Sequence, residues 1–127
     1  IKDVPKTWVF RLARWRNAEA ERRGQRPPLP PNSIDKPPSA ELRPDQRDDQ
    51  SLPPYEVLDP ILQLYVEDDR TAGEIIELGH DEQMVRRITR LVDIAEYKRR
   101  QTPPGVRVSR KAFGKDRRLP ITNGYRG

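Results

Sequence analysis

Apolar residues recur at helical spacing along much of the chain. Trp8, Leu12 and Trp15 stand at i, i+4 and i+7, with Val9 and Ala13 beside them. That spacing predicts an amphipathic helix over residues 5–24, with Asp3 as its cap, Pro5 in its first turn and Gly24 as its stop. Its distal half, Arg14 to Arg23, is strongly charged. Leu58, Ile61, Leu62 and Tyr65 share one face of a second helical region. Pro60 interrupts that region, so Asp59 is expected to cap a fresh start with Pro60 at its first position. Thr71-Ala72-Gly73-Glu74 reads as a capping box opening a short helix that runs to Gly79. Asp81 is placed to cap a further helix over about 82–99, with Met84, Val85, Ile88, Leu91, Val92 and Ala95 on its apolar face. The turn at Gly79 joins these two as a helix–turn–helix. No stretch alternates as a strand does. The pattern predicts a mostly α chain with long irregular loops.

Nine of the fourteen prolines fall between Pro27 and Pro54. Proline removes a backbone donor and disfavours helix at the residue before it, so residues 25–54 read as a Pro-rich loop. A loop that long is uncommon unless it is functional or disordered. A helical region then spans 54–100, and Pro103-Pro104-Gly105 leads into a basic tail over 101–127.

Composition changes this picture in one respect. Hydrophobic residues are 33% of the 127, against about 45–50% in ordinary domains, and charged residues 35% against about 25%. So few apolar groups poorly offset the entropy of ordering the backbone. The chain is either disordered in part or folds by lying on something larger. Its first residue is Ile1, and it is expected to be the C-terminal piece of a longer polypeptide. With no cysteine, it holds no disulfide, zinc–thiolate or cysteine nucleophile, which fits a reducing cytoplasm. No apolar run approaches the ~18 residues of a membrane span. Residues 1–97 hold 15 Lys+Arg against 19 Asp+Glu, whereas residues 98–127 hold 10 against one. Such a tail seeks anions: nucleic acid, lipid, phosphate-bearing ligands or an acidic partner.

No catalytic set is complete. His80 is the sole histidine and reads as a surface or capping residue. The seven glycines are scattered and form no phosphate loop. Asp45, Asp48 and Asp49 read as a solvated acidic run rather than a metal site. Three places say more. Lys6-Thr7 opens a helix, where a lysine opposes the dipole unless an anion sits there too. Lys36-Pro37-Pro38-Ser39 presents a hydroxyl on a stiff extended backbone, as a ligand-contacting loop or a linker would. Tyr97-Lys98-Arg99-Arg100 ends a helix, either to complement its dipole or to clamp a phosphate or carboxylate.

These places recur in order in one family. The chain resembles glutamine-dependent NAD+ synthetase through Lys2-Asp3-Val4-Pro5-Lys6-Thr7 and Lys36-Pro37-Pro38-Ser39-Ala40-Glu41-Leu42-Arg43-Pro44-Asp45-Gln46. The resemblance continues through Ser51-Leu52-Pro53-Pro54-Tyr55, Glu96-Tyr97-Lys98-Arg99-Arg100-Gln101 and Phe113-Gly114-Lys115-Asp116-Arg117-Arg118-Leu119-Pro120-Ile121-Thr122-Asn123. It implies the C-terminal portion of an α/β adenine-nucleotide-binding, Rossmann-like synthetase domain. It implies a ligase that adenylates deamido-NAD+ with ATP and amidates it with ammonia released from glutamine by a nitrilase-like domain.

By the same resemblance Lys6 and Ser39 contact ATP, and Lys98 with Tyr97 contacts deamido-NAD+. Many relatives have threonine where Ser39 stands. The ammonia-dependent ones have histidine where Tyr97 stands, and Pro60 departs from the usual helix. The family's Ser-Gly-Gly phosphate loop, its Mg2+ ligands and its Glu-Lys-Cys glutaminase set would lie outside this chain, which carries no catalytic residue of its own. A homo-oligomer is implied. The competing expectation is a basic module that binds nucleic acid or an acidic partner; against nucleic acid, the second helix is basic only at Arg86, Arg87 and Arg90, and aromatics are not interleaved with the tail.

Overall fold

The computed structural model describes residues 3–36, 52–101, 103, 105–111, 116–122 and 124. Among them the chain is helical and contains no strand. Ser39, Asp45, Asp48 and Asp49 lie outside the described residues. The chain divides into two compact units, Pro5–Val57 and Leu58–Gly127 with Ile1–Val4.

In the first unit, α1 spans Lys6–Arg22. It ends where Gly24 N donates to Glu21 O at 2.9 Å and Gln25 N to Ala20 O at 2.8 Å. That double closure requires a left-handed residue, and Gly24 supplies it at φ +68°. The chain then folds back along the helix. Asn17 Nδ2 donates to Leu29 O at 2.8 Å, and Leu29 N donates to Asn17 Oδ1 at 3.0 Å. Inside the stretch expected to be irregular, Pro31–Asp35 forms a helical turn, α2. Pro31 suits its first position, and burial of Ile34 holds it. Phe10 and Tyr55 meet edge to face at 6.4 Å.

Asp3 does not cap α1. Pro5 takes the cap position and offers no side-chain acceptor. The Asp3 carboxylate instead accepts from Val108 N and Ser109 N, both at 2.9 Å, and from Ser109 Oγ at 2.7 Å. Three donors outcompete the single bond a cap would make. Nor does the Trp8–Leu12–Trp15 stripe face a core among the described residues: the three are 56%, 53% and 58% exposed. The buried residues of α1 are Glu19 and Ala20.

In the second unit, α3 spans Tyr55–Leu62, starting on the last residues of the first, and it runs straight through Pro60. Asp59 therefore lies inside a continuous helix and not at a fresh start, buried at 8% exposure. Proline near the start of a helix loses one bond, to the carbonyl four residues back, and burial of Leu58 and Ile61 offsets that loss. The helix then widens into a π turn over Gln63–Glu67, closed by Asp68 N on Gln63 O at 3.1 Å. It places Tyr65 and Val66 in the core.

Helix α4, Ala72–Glu77, opens on a complete capping box. Glu74 N donates to Thr71 Oγ1 at 3.3 Å, and Thr71 N donates to Glu74 Oε2 at 2.8 Å. Gly79, at φ +95°, turns the chain into α5, Glu82–Ile94, whose cap is Asp81 accepting from Met84 N at 2.8 Å. Ile75 of α4 and Val85, Ile88 and Val92 of α5 are buried.

The helix expected to reach residue 99 breaks at Ala95, and Glu96–Arg100 forms a separate short helix, α6. The physical reason lies in Arg99, whose Nη1 donates to Val92 O. In a continuous α-helix that carbonyl would serve the amide of Glu96. Glu96 is 1% exposed and gathers the surrounding cations. Arg99 Nη2 lies 2.8 Å and Arg100 Nε 3.1 Å from its carboxylate, with Arg118 Nη1 at 3.7 Å. No described helix is long and apolar enough to cross a membrane.

Thr71→Ala removes the N-cap acceptor, and thermal unfolding should show a loss of about 1 kcal/mol. Glu96 yields a second expectation. Burial works to raise its pKa, but the bonds from Arg100, Arg99 and the Leu119 amide prevail and hold it at about 2. A carboxyl depressed from 4.5 contributes stability that is complete above about 4.5 and lost as pH falls toward about 2. Hydrogen exchange of the α6 amides should therefore accelerate across that window. Glu96→Gln, which leaves Arg99 buried beside a neutral partner, should cost about 3–5 kcal/mol at neutral pH. Exchange that is flat through the acid range would contradict the role given to Glu96.

Candidate functional site

The anchored helix α6 presents Tyr97 and Lys98 outward while Glu96 and Arg99 point inward. Tyr97 is 48% exposed, and Lys98 Nζ lies 5.9 Å from its ring centroid. The surroundings make Lys98 distinctive. The basic side chains described after it are all ion-paired. Arg99 and Arg100 hold Glu96. Arg107 pairs with Asp116 at 3.3 Å, Arg110 with Asp68 and Glu67, Lys111 with Asp69, Arg117 with Asp93 at 3.4 Å and Arg118 with Glu96. Among the described residues from 98 onward, Lys98 is the one cation with no carboxylate within 4.0 Å. An anionic ligand could therefore take it without first breaking an ion pair.

Among the described residues, Arg110, Lys111, Arg117 and Arg118 of the tail pair with acids of the helical region, and Arg107 pairs with Asp116 of the tail itself. Asp69 takes part with a lowered pKa, held down by its bond from Lys111. Its backbone is left-handed at φ +54°, a conformation aspartate tolerates better than most residues.

Lys6 belongs to the other unit, where it is the first residue of α1 and exposed. No acid occupies the first turn, and Pro5 supplies no side-chain acceptor. This helix start thus keeps its partial positive charge and adds an ammonium to it. Thr7, beside it, is half-buried and engaged in a contact of its own. The lowered pKa of Asp3, in the second unit, comes from its bonds with Ser109 and Val108, so it stays ionised and holds those residues of the tail. Among the described residues no three His, Cys, Asp or Glu side chains stand together as a metal site.

Of the four residues singled out for ligand contact, Tyr97 and Lys98 adjoin on one short helix, Lys6 opens α1, and Ser39 lies outside the described residues. The groups that hold α6, namely Asp93, Glu96 and Arg117, lie outside that set. A signal was present. Val85, Ile88, Thr89, Val92 and Glu96 follow the spacing of one buried stripe. An acid on a core stripe demands a cation, and Arg117-Arg118 is a ready pair.

The NAD synthase family profile matches residues 1–102. The chain is 51% identical over 126 residues to the glutamine-dependent NAD(+) synthetase of Acinetobacter baylyi, covering 99% of this chain and 23% of that protein. It is 50% identical over 127 residues to the enzyme of the same name from Xanthomonas campestris pv. campestris, covering all of this chain and 22% of the relative. The chain thus spans under a quarter of the length of the curated relatives it matches. The solved structure of glutamine-dependent NAD+ synthetase from Acinetobacter baumannii in complex with ADP is similar over 98% of this chain and 20% of its own, at 42% identity and a TM-score of 0.55. On sequence and fold together, the chain belongs to the NAD synthase family.

Proposed function

We propose that the chain supplies part of the ligand-binding surface of an ATP-dependent, glutamine-hydrolysing NAD+ synthase. The observation that carries this reading is identity near 50% along the whole chain with glutamine-dependent NAD(+) synthetases. The chain forms the last helices and tail of an α/β, Rossmann-like synthetase domain in this reading. The phosphate loop, the Mg2+ ligands and the glutaminase belong to the remainder of a longer protein that works in the cytoplasm as a homo-oligomer.

The reaction joins the nicotinate carboxylate of deamido-NAD+ to AMP with release of pyrophosphate. Ammonia from glutamine then displaces AMP to give NAD+. Negative charge builds on phosphate oxygens in the first step. A fixed ammonium beside them stabilises that charge best where water is scarce. Lys6, at a helix start with no acid of its own, fits that role, and Ser39 orients the phosphates. Lys98 binds an anionic group of deamido-NAD+, with Tyr97 alongside it. That no carboxylate among the described residues stands within 4.0 Å of Lys98 supports this assignment.

In the synthetase containing this chain, Lys98→Ala should raise KM for deamido-NAD+ roughly 10–100-fold, the loss of one charge-assisted hydrogen bond. Lys6→Ala should impair ATP use instead, through KM or turnover. Steady-state kinetics with each substrate varied in turn would show it. Parent-like constants in both variants would sink the site assignment. The purified 127-residue chain by itself should form no NAD+ from deamido-NAD+, ATP and ammonia.

A further inference from the structure

We infer that Arg117, acting through Asp93 and the Glu96 cluster, is a positioning residue for Lys98, so that the tail sets where the dinucleotide contact stands. The inference rests on the reading of Lys98 as that contact. It starts from the weakness of α6. Five residues following a helix break cannot hold a helix by their own propensity. Its place must come from what grips it.

On one side the grip is Glu96, the residue just before Tyr97 and Lys98. Its carboxylate holds Arg99 and Arg100, and Arg100 Nη2 donates to Leu119 O at 3.2 Å. On the other side is Asp93, one turn earlier and 6% exposed. Tyr65 Oη is 3.0 Å from both Asp93 carboxylate oxygens, and Arg117 Nη2 is 3.4 Å from Oδ1. Arg117 also donates from Nη1 to Tyr65 O at 3.2 Å, and its guanidinium carbon lies 4.2 Å over the Tyr65 ring. One side chain thus fastens the tail to the π turn and to the end of α5 together. Its neighbours Arg118 and Leu119 reach the Glu96 cluster on α6. The side chain of Arg117 is 15% exposed, a position in which its packing and bonds are both sheltered. Arg117 touches no part of Lys98. Its effect on Lys98 passes through the backbone that both acids hold.

The test compares Arg117→Met, Arg117→Lys, Lys98→Ala and the double variant Arg117→Met/Lys98→Ala in the synthetase containing this chain. Arg117→Met should raise KM for deamido-NAD+ about tenfold and leave KM for ATP and kcat near the parent values. Arg117→Lys keeps the charge beside Asp93 but loses the planar fork, and should fall between the two. The double variant should be no worse than Lys98→Ala, because a displaced ammonium and a missing one cost the same contact. Effects that multiply, or a KM for ATP that rises in step, would overturn the inference in favour of a general loss of structure. A raised dinucleotide KM in Lys98→Ala with a parent-like value in Arg117→Met would overturn it alone. A parent-like Lys98→Ala would remove the reading of Lys98 and this inference with it. If Arg117→Met does not fold, the same comparisons made with Arg117→Lys decide.

Discussion

A carboxylate buried to 1% exposure must find positive charge, and Glu96 finds it in three arginines from two directions. Removing a carboxylate from water costs several kcal/mol, and only well-placed donors repay it. Much of the second unit follows from satisfying that demand. Arg99 turns inward, takes the Val92 carbonyl and ends α5. Arg100 links the new short helix to Leu119. The tail, which has little apolar surface to bury, is held through charge pairs and a few hydrogen bonds. Asp3 adds another tie by binding the Val108 and Ser109 amides. The tail's described cations are each ion-paired, and among the described residues from 98 onward Lys98, with no carboxylate within 4.0 Å, stands out against them.

Where local chemistry decides an element, it could be read from the residues. The Thr71–Glu74 box, the Asp81 cap, the Gly24 stop and the Gly79 turn each depend on residues within a few positions of one another. The errors fall where a distant partner decides. Asp3 is a good cap by type, but the amides of Val108 and Ser109 are better partners. Pro60 is a helix breaker by type, yet the burial of Leu58 and Ile61 carries α3 past it. The break at Ala95 has no marker of its own, since it depends on where Arg99 sends its guanidinium. Trp8, Leu12 and Trp15 have the right spacing for a buried stripe, but among the described residues they stay more than half exposed.

The candidate site divides in the same way. Lys6 and the Tyr97–Lys98 pair were recognisable from position, at a helix start and a helix end. Their supports were not, because the interactions that hold α6 span from Tyr65 to Leu119. A chain with under a quarter of its relatives' length, few apolar residues and many ion pairs is well suited to contribute edges of a site rather than its whole.

The most direct measurement is a structure of the synthetase containing this chain with deamido-NAD+ bound. Lys98 Nζ should lie about 2.7–3.2 Å from an anionic oxygen of the dinucleotide, with Glu96 still holding Arg99 and Arg100. A dinucleotide bound elsewhere, with Lys98 left in solvent or paired to a protein carboxylate, would contradict the central claim.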